Sequence, residues 1–245
     1  MLQGASDDTN YFDIPYLNAL CLHQIYSLGS GNSQLYQNAD RSRGTLIGGV
    51  RGMGLLKSRF NINLDEKPEY TDRFHDIKAL NQQWNAWIGK ESGRRAAWAA
   101  FEYDCSLCTL TSRRGTVDLS ELPSSLPCAE TIWNATSAHA WFILQSRFGV
   151  NSLNPDLSSI LQLAIGGRSL PSFLGSWAKR LCSQVLGRLL WDLKQLEILA
   201  RPEFCGLSSM LNGSRESKKS VLSGLDNLTH SLSEPLSTSD LTSYK

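Results

Sequence analysis

The sequence lacks the long apolar runs and the one-sided charge that are typical of membrane proteins and nucleic-acid-binding proteins. No uninterrupted apolar run approaches about 18 residues, which excludes a membrane-spanning helix. The 24 basic and 23 acidic residues leave a formal net charge of +1, so no basic field over the whole chain draws it to DNA or to an anionic membrane. Residues 1–10 lack the basic and then apolar layout of a signal peptide. We therefore expect an intracellular, reducing compartment and no membrane partner.

Paired metal ligands are also missing. A structural zinc site needs ligands in pairs roughly two to four residues apart, because four of them must converge on one ion. The six cysteines contain one such pair, Cys105 and Cys108. It lies on a predicted helix, where buried thiols packing as small hydrophobic groups are the better explanation. The four histidines are isolated. We predict no metal site, no zinc finger and no bound cofactor in this chain.

The motifs of common enzymes are absent too. The glycines between Gly44 and Gly54 have neither the P-loop spacing nor the dinucleotide-binding spacing. A terpene-cyclase-like bundle would need a third aspartate beyond Asp7-Asp8 to hold magnesium. No G-x-S-x-G occurs, and Cys128 and His139 are close in sequence without completing a recognisable nucleophile set. An all-α enzyme is therefore the least favoured hypothesis, and we predict a protein that is not an enzyme.

What the sequence does contain is helical periodicity. Apolar residues recur at steps of three and four, which predicts an all-α fold of several helices. Long helices are predicted over residues 11–28, 34–56, 77–110 and 171–200. The first of them has an apolar face of Leu17, Leu20, Cys21, Ile25 and Leu28. Two short helices carry Trp133 and Trp141, and Ser137 caps the second of them. A further helix begins at Asn154-Pro155, with the asparagine as its cap, and ends at Gly166.

Three segments follow from composition. Residues 1–10 are predicted to be a disordered N-terminus, and residues 11–205 a helical domain with a polar connector over 58–76. Residues 206–245 form a serine-rich, mostly flexible tail that contains at most a weak helix over 220–232. Basic residues gather in one helical segment, where a solvated helix face explains them better than a phosphate-binding track. They are Arg41, Arg43, Arg51, Lys57 and Arg59.

The most particular stretch runs from Trp84 to Trp141. Its first half reads W-N-A-W-I-G-K-E-S-G-R-R-A-A-W-A-A-F-E-Y-D-C, and its tryptophans share one stripe of a helix. Glu91 and Arg95 form a favourable pair four residues apart on that helix. The second half, L-P-C-A-E-T-I-W-N-A-T-S-A-H-A-W, begins with a proline that disfavours helical geometry at Leu126. A new element therefore starts there, and the tryptophans of both halves are most simply packing residues.

This combination resembles the signature of the fungal-specific transcription factor domain, the large helical region that follows the zinc fingers in many fungal gene regulators. Its first half is matched by Trp84, Trp87, Ile88, Glu91, Arg94, Arg95, Trp98, Phe101 and Asp104. Its second half is matched by Leu126, Pro127, Cys128, Trp133, Ala135, Ser137, Ala138 and Trp141. The stretch Arg51-Gly-Met-Gly-Leu55 is similar to a short arginine-containing segment of the family. The chain departs from the family at His139-Ala140, where acidic residues commonly complete a capping box.

The resemblance covers about residues 11–200 and implies a regulatory domain of a nuclear transcription factor that controls transcription by RNA polymerase II. In such proteins zinc and direct DNA contact belong to a finger module that this sequence does not contain. The implied partners are a full-length regulator or the transcription machinery, DNA through such a partner or module, and a small-molecule effector between helices. A DNA-binding-deficient interaction scaffold or modulator stays open as the alternative.

The resemblance implies no catalytic residue. It makes the signature positions a tryptophan-lined helical core, with a charge set of Arg94, Arg95, Glu91 and Asp104 that ties helices together. An effector pocket would lie among the same residues.

Overall fold

The computed structural model describes residues 13–56, 77–149, 152–200 and 213–233. Within these ranges the secondary structure is helical and contains no named strand, so the predicted all-α fold is confirmed. The helices are α1 (Ile14–Gly29), α2 (Ser33–Gly52), α3 (Ile77–Thr111), α4 (Glu130–Trp133), α5 (Ala138–Phe148), α6 (Leu157–Ile165), α7 (Ser176–Leu199) and α8 (Ser214–Ser233), with a 3-10 turn at Leu119–Glu121. None of them combines the length and the apolar character that a bilayer crossing requires.

Several sequence predictions lie outside the described residues. These are the disordered segment 1–10, the whole connector 58–76, and the tail segments 206–212 and 234–245. The chain forms two compact units: residues 1–67 with 92–122, and residues 68–91 with 123–245. We describe each unit by itself.

Helices α1 and α2 of the first unit are capped by the side chains that precede them. The carboxylate of Asp13 accepts the Tyr16 N–H at 2.7 Å, and the Asn32 side chain accepts two N–H groups at the start of α2. The buried face of α1 differs from its prediction, because Gln24 is fully buried and Ile25 is 48% exposed. Gln24 is buried because its amide donates to the carbonyl and the hydroxyl oxygen of Ser42, both at 3.1 Å.

Helix α2 ends four residues earlier than predicted, at Gly52 instead of Leu56. Gly54 has φ +67°, a left-handed conformation that glycine adopts without steric cost. The Gly54 N–H donates to the Arg51 carbonyl and the Leu55 N–H donates to the Val50 carbonyl. This is a Schellman motif, which pairs the last carbonyls of the helix and stops it.

The second unit confirms the two short helices and the cap of α5. The Ser137 hydroxyl accepts the Ala140 N–H at 3.2 Å. The predicted start of α6 is wrong by two residues: Asp156, not Asn154, is the cap, and its carboxylate accepts the Ser159 N–H at 2.8 Å. Helix α7 begins at Ser176, five residues after its prediction, because a turn in which the Leu174 N–H donates to the Pro171 carbonyl precedes it.

Helix α8 is longer than the weak helix expected over 220–232, and it packs against α6 and α7. Gly224 is buried at this contact, where an added Cβ would lie 3.0 Å from Leu186 Cδ1 and 3.3 Å from Ile165 Cα. The Asn227 amide donates to the Ala164 carbonyl of α6 and to the Arg168 carbonyl that follows this helix. Lys218 pairs with Glu197 of α7 at 2.7 Å. Residues 214–233 of the serine-rich segment are therefore a packed part of the second unit.

Candidate functional site

The predicted signature residues divide between the two units. Helix α3 contributes residues 77–91 to the second unit and residues 92–111 to the first. The second unit contains Trp84, Trp87, Glu91, Leu126, Pro127, Cys128, Trp133 and Trp141, and the first contains Arg94, Arg95, Trp98 and Asp104. The two groups are therefore described in turn.

Four tryptophans of the second unit gather in what we call the tryptophan cluster: Trp84, Trp87, Trp133 and Trp141. The ring centroids of Trp87 and Trp141 are 5.4 Å apart with planes inclined at 40°, and those of Trp87 and Trp133 are 6.2 Å apart at 57°. Both distances lie in the range of favourable aromatic pairs. Trp141 is buried together with Cys128 and Ile132, and the other three tryptophans pack against that core.

Local structure brings these rings together. Helix α4 ends at Trp133, where the Asn134 N–H donates to the Glu130 carbonyl. The Ser137 cap starts α5 directly afterwards, which places Trp141 in its first turn. Two short helices joined by a tight connection thus carry one tryptophan each to the face that α3 offers with Trp87.

Glu91 fixes the L-P-C segment of the signature. Its side chain is fully buried, and its Oε1 accepts the Cys128 N–H at 3.0 Å. On the other side of Pro127, the Leu126 N–H donates to the Pro155 carbonyl at 2.8 Å. A carboxylate is costly to bury unless it is hydrogen-bonded, and this contact supplies one of the hydrogen bonds that offset the cost for Glu91.

Asp104 binds a backbone segment of the first unit in the same way. Its buried carboxylate accepts the Thr116 N–H at 3.0 and 2.9 Å and the Val117 N–H at 3.1 Å. Arg43 Nη1 lies 3.7 Å from Asp104 Oδ1. The segment that follows α3 is therefore held by a side chain of α3 itself. Trp98 and Phe101 are fully buried in this unit and form an edge-to-face pair at 5.7 Å, while Arg94 and Arg95 are half-buried.

Two arginines that were expected on a solvated helix face form part of this arrangement. Arg51 donates to the Thr116 carbonyl and to Glu121 Oε2, both at 2.7 Å, and Arg43 lies beside Asp104. Arg51 is exposed as expected, although it also has these partners, whereas the expectation was wrong for Arg43, which is half-buried. The partners of both arginines lie on α3 or after it, more than sixty residues further along the chain. The signal that could have found Arg51 was its place in the family-like segment Arg51–Leu55.

No disulfide joins the described cysteines. Burial raises the pKa of Cys21 to about 11, with a smaller contribution from the charge of Glu102, and burial raises that of Cys182 to about 12. Both thiols are therefore protonated at neutral pH, whereas nucleophiles and metal ligands are thiolates. Among the described residues, no group of three or more histidines, cysteines and acids is arranged to hold a metal ion.

Two curated proteins are similar to parts of this chain. The zinc finger protein klf1 of Schizosaccharomyces pombe is 26% identical over 113 residues, which cover 46% of this chain and 14% of that protein. The transcription factor PfmaH of Pestalotiopsis fici is 25% identical over 127 residues, which cover 51% of this chain and 12% of that protein. The chain thus spans a small part of the length of either relative. No solved structure matches it.

The comparison with protein families gives a longer match. Residues 2–234 match the family described as the fungal specific transcription factor domain. The match extends beyond residue 200, where the resemblance of the signature ended, and includes the packed helix α8. It leaves out only the first residue and the last eleven, and the chain therefore belongs to the fungal-specific transcription factor domain family.

Proposed function

We propose that this chain is the regulatory domain of a nuclear transcription factor, and that it acts by binding proteins instead of by catalysis or direct DNA contact. The observation that carries the proposal is the family match over residues 2–234. The names of both relatives, a zinc finger protein and a transcription factor, support a role in transcription. Zinc-dependent DNA recognition is assigned to a finger module outside this sequence, because the formal net charge of +1 provides no phosphate-binding field.

The signature residues, in this proposal, shape the domain and do not react. Glu91 holds the Cys128 backbone and Asp104 holds the Thr116 and Val117 backbone. The tryptophan cluster packs the faces of α3, α4 and α5 that carry it. A full-length regulator or a component of the transcription machinery then binds the surface that this core supports.

Two measurements test the proposal. Fused to a heterologous DNA-binding domain, the chain is expected to change expression of a reporter gene, and a fusion carrying Asp104→Ala is expected to lose that effect. Mixed with duplex DNA alone at low salt, the purified chain is expected to bind weakly and without site preference. A tight, sequence-specific DNA complex of the chain alone would refute the assignment of DNA recognition to another module.

The alternative is an interaction scaffold with no transcriptional role. It predicts that the reporter fusion is silent while the chain still captures protein partners. Localisation separates the two further, since a regulator of transcription is expected to accumulate in the nucleus when it is expressed with its native partner.

A further inference from the structure

A threonine of the first unit follows two exposed arginines in a segment without regular secondary structure. Ser112 follows the end of α3 and takes a left-handed conformation with φ +51°, which turns the chain out of the helix. The next four residues, 113–116, read R-R-G-T, and the first three of them belong to no helix or strand. The side chains of Arg113 and Arg114 are 65% and 71% exposed. Two cations therefore lie on the surface directly before a hydroxyl group.

The residues around Thr116 have the charge pattern that one class of protein kinase recognises. Thr116 is the only hydroxyl residue of the sequence with basic residues both three and two positions before it. Kinases select substrates by the charges around the acceptor hydroxyl. An arginine-directed kinase binds the arginines at these two positions with carboxylates, and it binds an apolar side chain directly after the acceptor, with the substrate chain extended. Arg113, Arg114 and Val117 occupy these three positions.

The backbone on both sides of the acceptor hydroxyl is held by charged side chains. The Thr116 N–H donates to the buried Asp104 carboxylate at 3.0 and 2.9 Å, and the Thr116 carbonyl accepts from Arg51 at 2.7 Å. The Val117 side chain is buried, and its N–H donates to the same carboxylate. Thr116 itself is half-buried. A kinase therefore reaches the hydroxyl when residues 112–118, which we call the acceptor segment, leave Asp104 in a local opening.

We propose that Thr116 is a phosphorylation site for an arginine-directed serine/threonine kinase, and that the phosphate releases the acceptor segment from Asp104. In the reaction, Thr116 Oγ1 attacks the γ-phosphorus of magnesium-bound ATP. The new O–P bond replaces the bond from that phosphorus to the β,γ-bridging oxygen, so ADP leaves, and the hydroxyl proton passes to the catalytic base of the kinase. The inference rests on the proposed function only for its consequence, which is a change in regulatory activity.

The charges around Thr116 explain why the phosphate releases the segment. It carries about −1.5 to −2 charges at pH 7 and stands on the residue whose N–H the Asp104 carboxylate accepts. It competes for that N–H and repels the carboxylate, which is buried and therefore little screened by water. The two neighbouring cations already pair with acids, Arg43 with Asp104 and Arg51 with Glu121. The phosphate gains either cation only by taking it from its acid.

The test incubates the purified full chain with magnesium-ATP and the catalytic subunit of cAMP-dependent protein kinase, which is an arginine-directed kinase. Mass spectrometry of peptides is expected to find phosphate on Thr116. Arg114→Ala is expected to lower the initial rate at Thr116 roughly ten-fold, the effect of one lost charge-assisted contact. The control is Arg215→Ala, which changes an exposed arginine of α8 and is expected to leave the rate at Thr116 unchanged.

A second pair of variants identifies the acceptor. Thr116→Val keeps the branched shape of the side chain and removes its hydroxyl, so the phosphate on this peptide is expected to disappear. The control is Thr45→Val. Thr45 is exposed and follows Arg43 by two residues, but it lies within α2, where the chain is not extended, so phosphate incorporation is expected to stay unchanged. Circular dichroism spectra that match the wild type establish that the variants fold.

Hydrogen exchange of the Val117 amide measures the release of the acceptor segment. Phosphorylation is expected to speed this exchange roughly ten-fold, because it makes the opening easier. The linkage is reciprocal. Asp104→Asn, which weakens the bonds that hold the segment closed, is expected to raise the rate of Thr116 phosphorylation roughly five-fold. Asp226→Asn on the exposed surface of α8 is the control and is expected to leave that rate unchanged.

Three outcomes overturn the proposal. The folded chain carries no phosphate on Thr116, Arg114→Ala is phosphorylated there as fast as the wild type, or the Val117 amide exchanges no faster after phosphorylation. A synthetic peptide of residues 110–121 that is phosphorylated while the chain is not belongs to the first outcome and shows that the segment stays closed. A chain that is phosphorylated and fails the reporter test contradicts the proposed function alone. A chain that regulates the reporter without accepting phosphate contradicts this inference alone.

Discussion

The two units of the molecule hold their helices by different means. In the first unit, buried polar side chains bond to backbone groups: Asp104 to Thr116 and Val117, Tyr103 to Ala39, and Gln24 to Ser42. The second unit relies more on close apolar packing, with tilted indole rings in the tryptophan cluster and a buried glycine at the contact of α8.

The difference has a consequence for experiments. Buried polar atoms without a hydrogen-bond partner among the described residues occur in both units: Gln24 Oε1 and Arg43 Nη1 in the first, and the indole nitrogens of Trp87 and Trp141 in the second. Unpaired atoms therefore do not distinguish the units. What distinguishes them is the kind of contact that substitution removes, a polar bond to the backbone in the first unit and an apolar contact in the second.

Asp104→Ala is the strongest test of the bonds between buried polar side chains and the backbone in the first unit. It leaves the Thr116 and Val117 N–H groups without their acceptor and Arg43 beside no carboxylate. We expect the free energy of unfolding to fall by about 3–5 kcal/mol, the cost of removing one partner from a buried charged network. Urea denaturation measures it.

The control for Asp104 is Asp40→Ala, since Asp40 pairs with Arg113, whose side chain is 65% exposed. An exposed ion pair contributes about 0–1 kcal/mol. Asp104→Asn is expected to fall between the two, because it keeps one acceptor oxygen. Equal losses in Asp104→Ala and Asp40→Ala would contradict the importance assigned to the buried bonds.

Glu91→Ala tests the hydrogen bond between Glu91 and the Cys128 backbone in the second unit. The substitution leaves the buried Cys128 N–H without its acceptor, and we expect a loss of about 2–3 kcal/mol. Glu91→Gln keeps an oxygen at the same place and is expected to restore much of that loss. Hydrogen exchange of the Cys128 amide reports the bond directly. The control, Glu216→Ala on the exposed surface of α8, is expected to change stability by less than about 0.5 kcal/mol.

Gly224→Ala tests the apolar packing of the second unit. The new methyl group would lie 3.0 Å from Leu186 Cδ1 and 3.3 Å from the Ile165 backbone, and we expect a loss of about 1–3 kcal/mol from overpacking. The matched control is Gly187→Ala on α7, where nothing lies within 4 Å of the added carbon. There the change is expected to stabilise by up to about 1 kcal/mol, since alanine is the better helix former. A Gly224→Ala variant that behaves like Gly187→Ala would show that α8 is not held at this contact.

The periodicity of the sequence predicted the helices and the signature predicted the family, but the contacts between distant residues were beyond both. Gln24 reads as a surface residue and Ile25 as a core residue until Ser42 is placed beside α1. The end of α2 depended on which of several glycines takes a left-handed conformation, and that was Gly54. The serine-rich composition predicted a mostly flexible tail with at most a weak helix where α8 lies. The packing of α8 needs only a few buried positions such as Gly224, which composition does not show.

The candidate site shows the same division. Spacing identified Trp84, Trp87, Glu91 and Trp98, because one helix stripe carries them. Asp104, Trp133 and Trp141 were identified by the family resemblance. Their hydrogen-bond partners could not be identified from the sequence. The Cys128 N–H that bonds to Glu91 lies 37 residues further along the chain, and a backbone group has no side-chain pattern that would predict its contact. Nor could spacing show that Trp87 and Trp141 of different helices pack ring against ring, with centroids 5.4 Å apart.

Tyr103→Phe is the smallest and cleanest test of the comparison, because it removes one oxygen and leaves the ring. The Tyr103 hydroxyl is buried and donates to the Ala39 carbonyl at 2.9 Å, and burial raises its pKa, so it stays protonated through the range in which the protein is studied. We expect a loss of about 1 kcal/mol, the net contribution of one neutral hydrogen bond. Tyr26→Phe is the control, since Tyr26 is 66% exposed. Water solvates its hydroxyl in the folded and in the unfolded chain, so removing that hydroxyl is expected to leave the free energy of unfolding nearly unchanged. If the two variants unfold at the same urea concentration, the buried hydroxyl adds no net stability, and polar pairing distinguishes the first unit in geometry but not in energy.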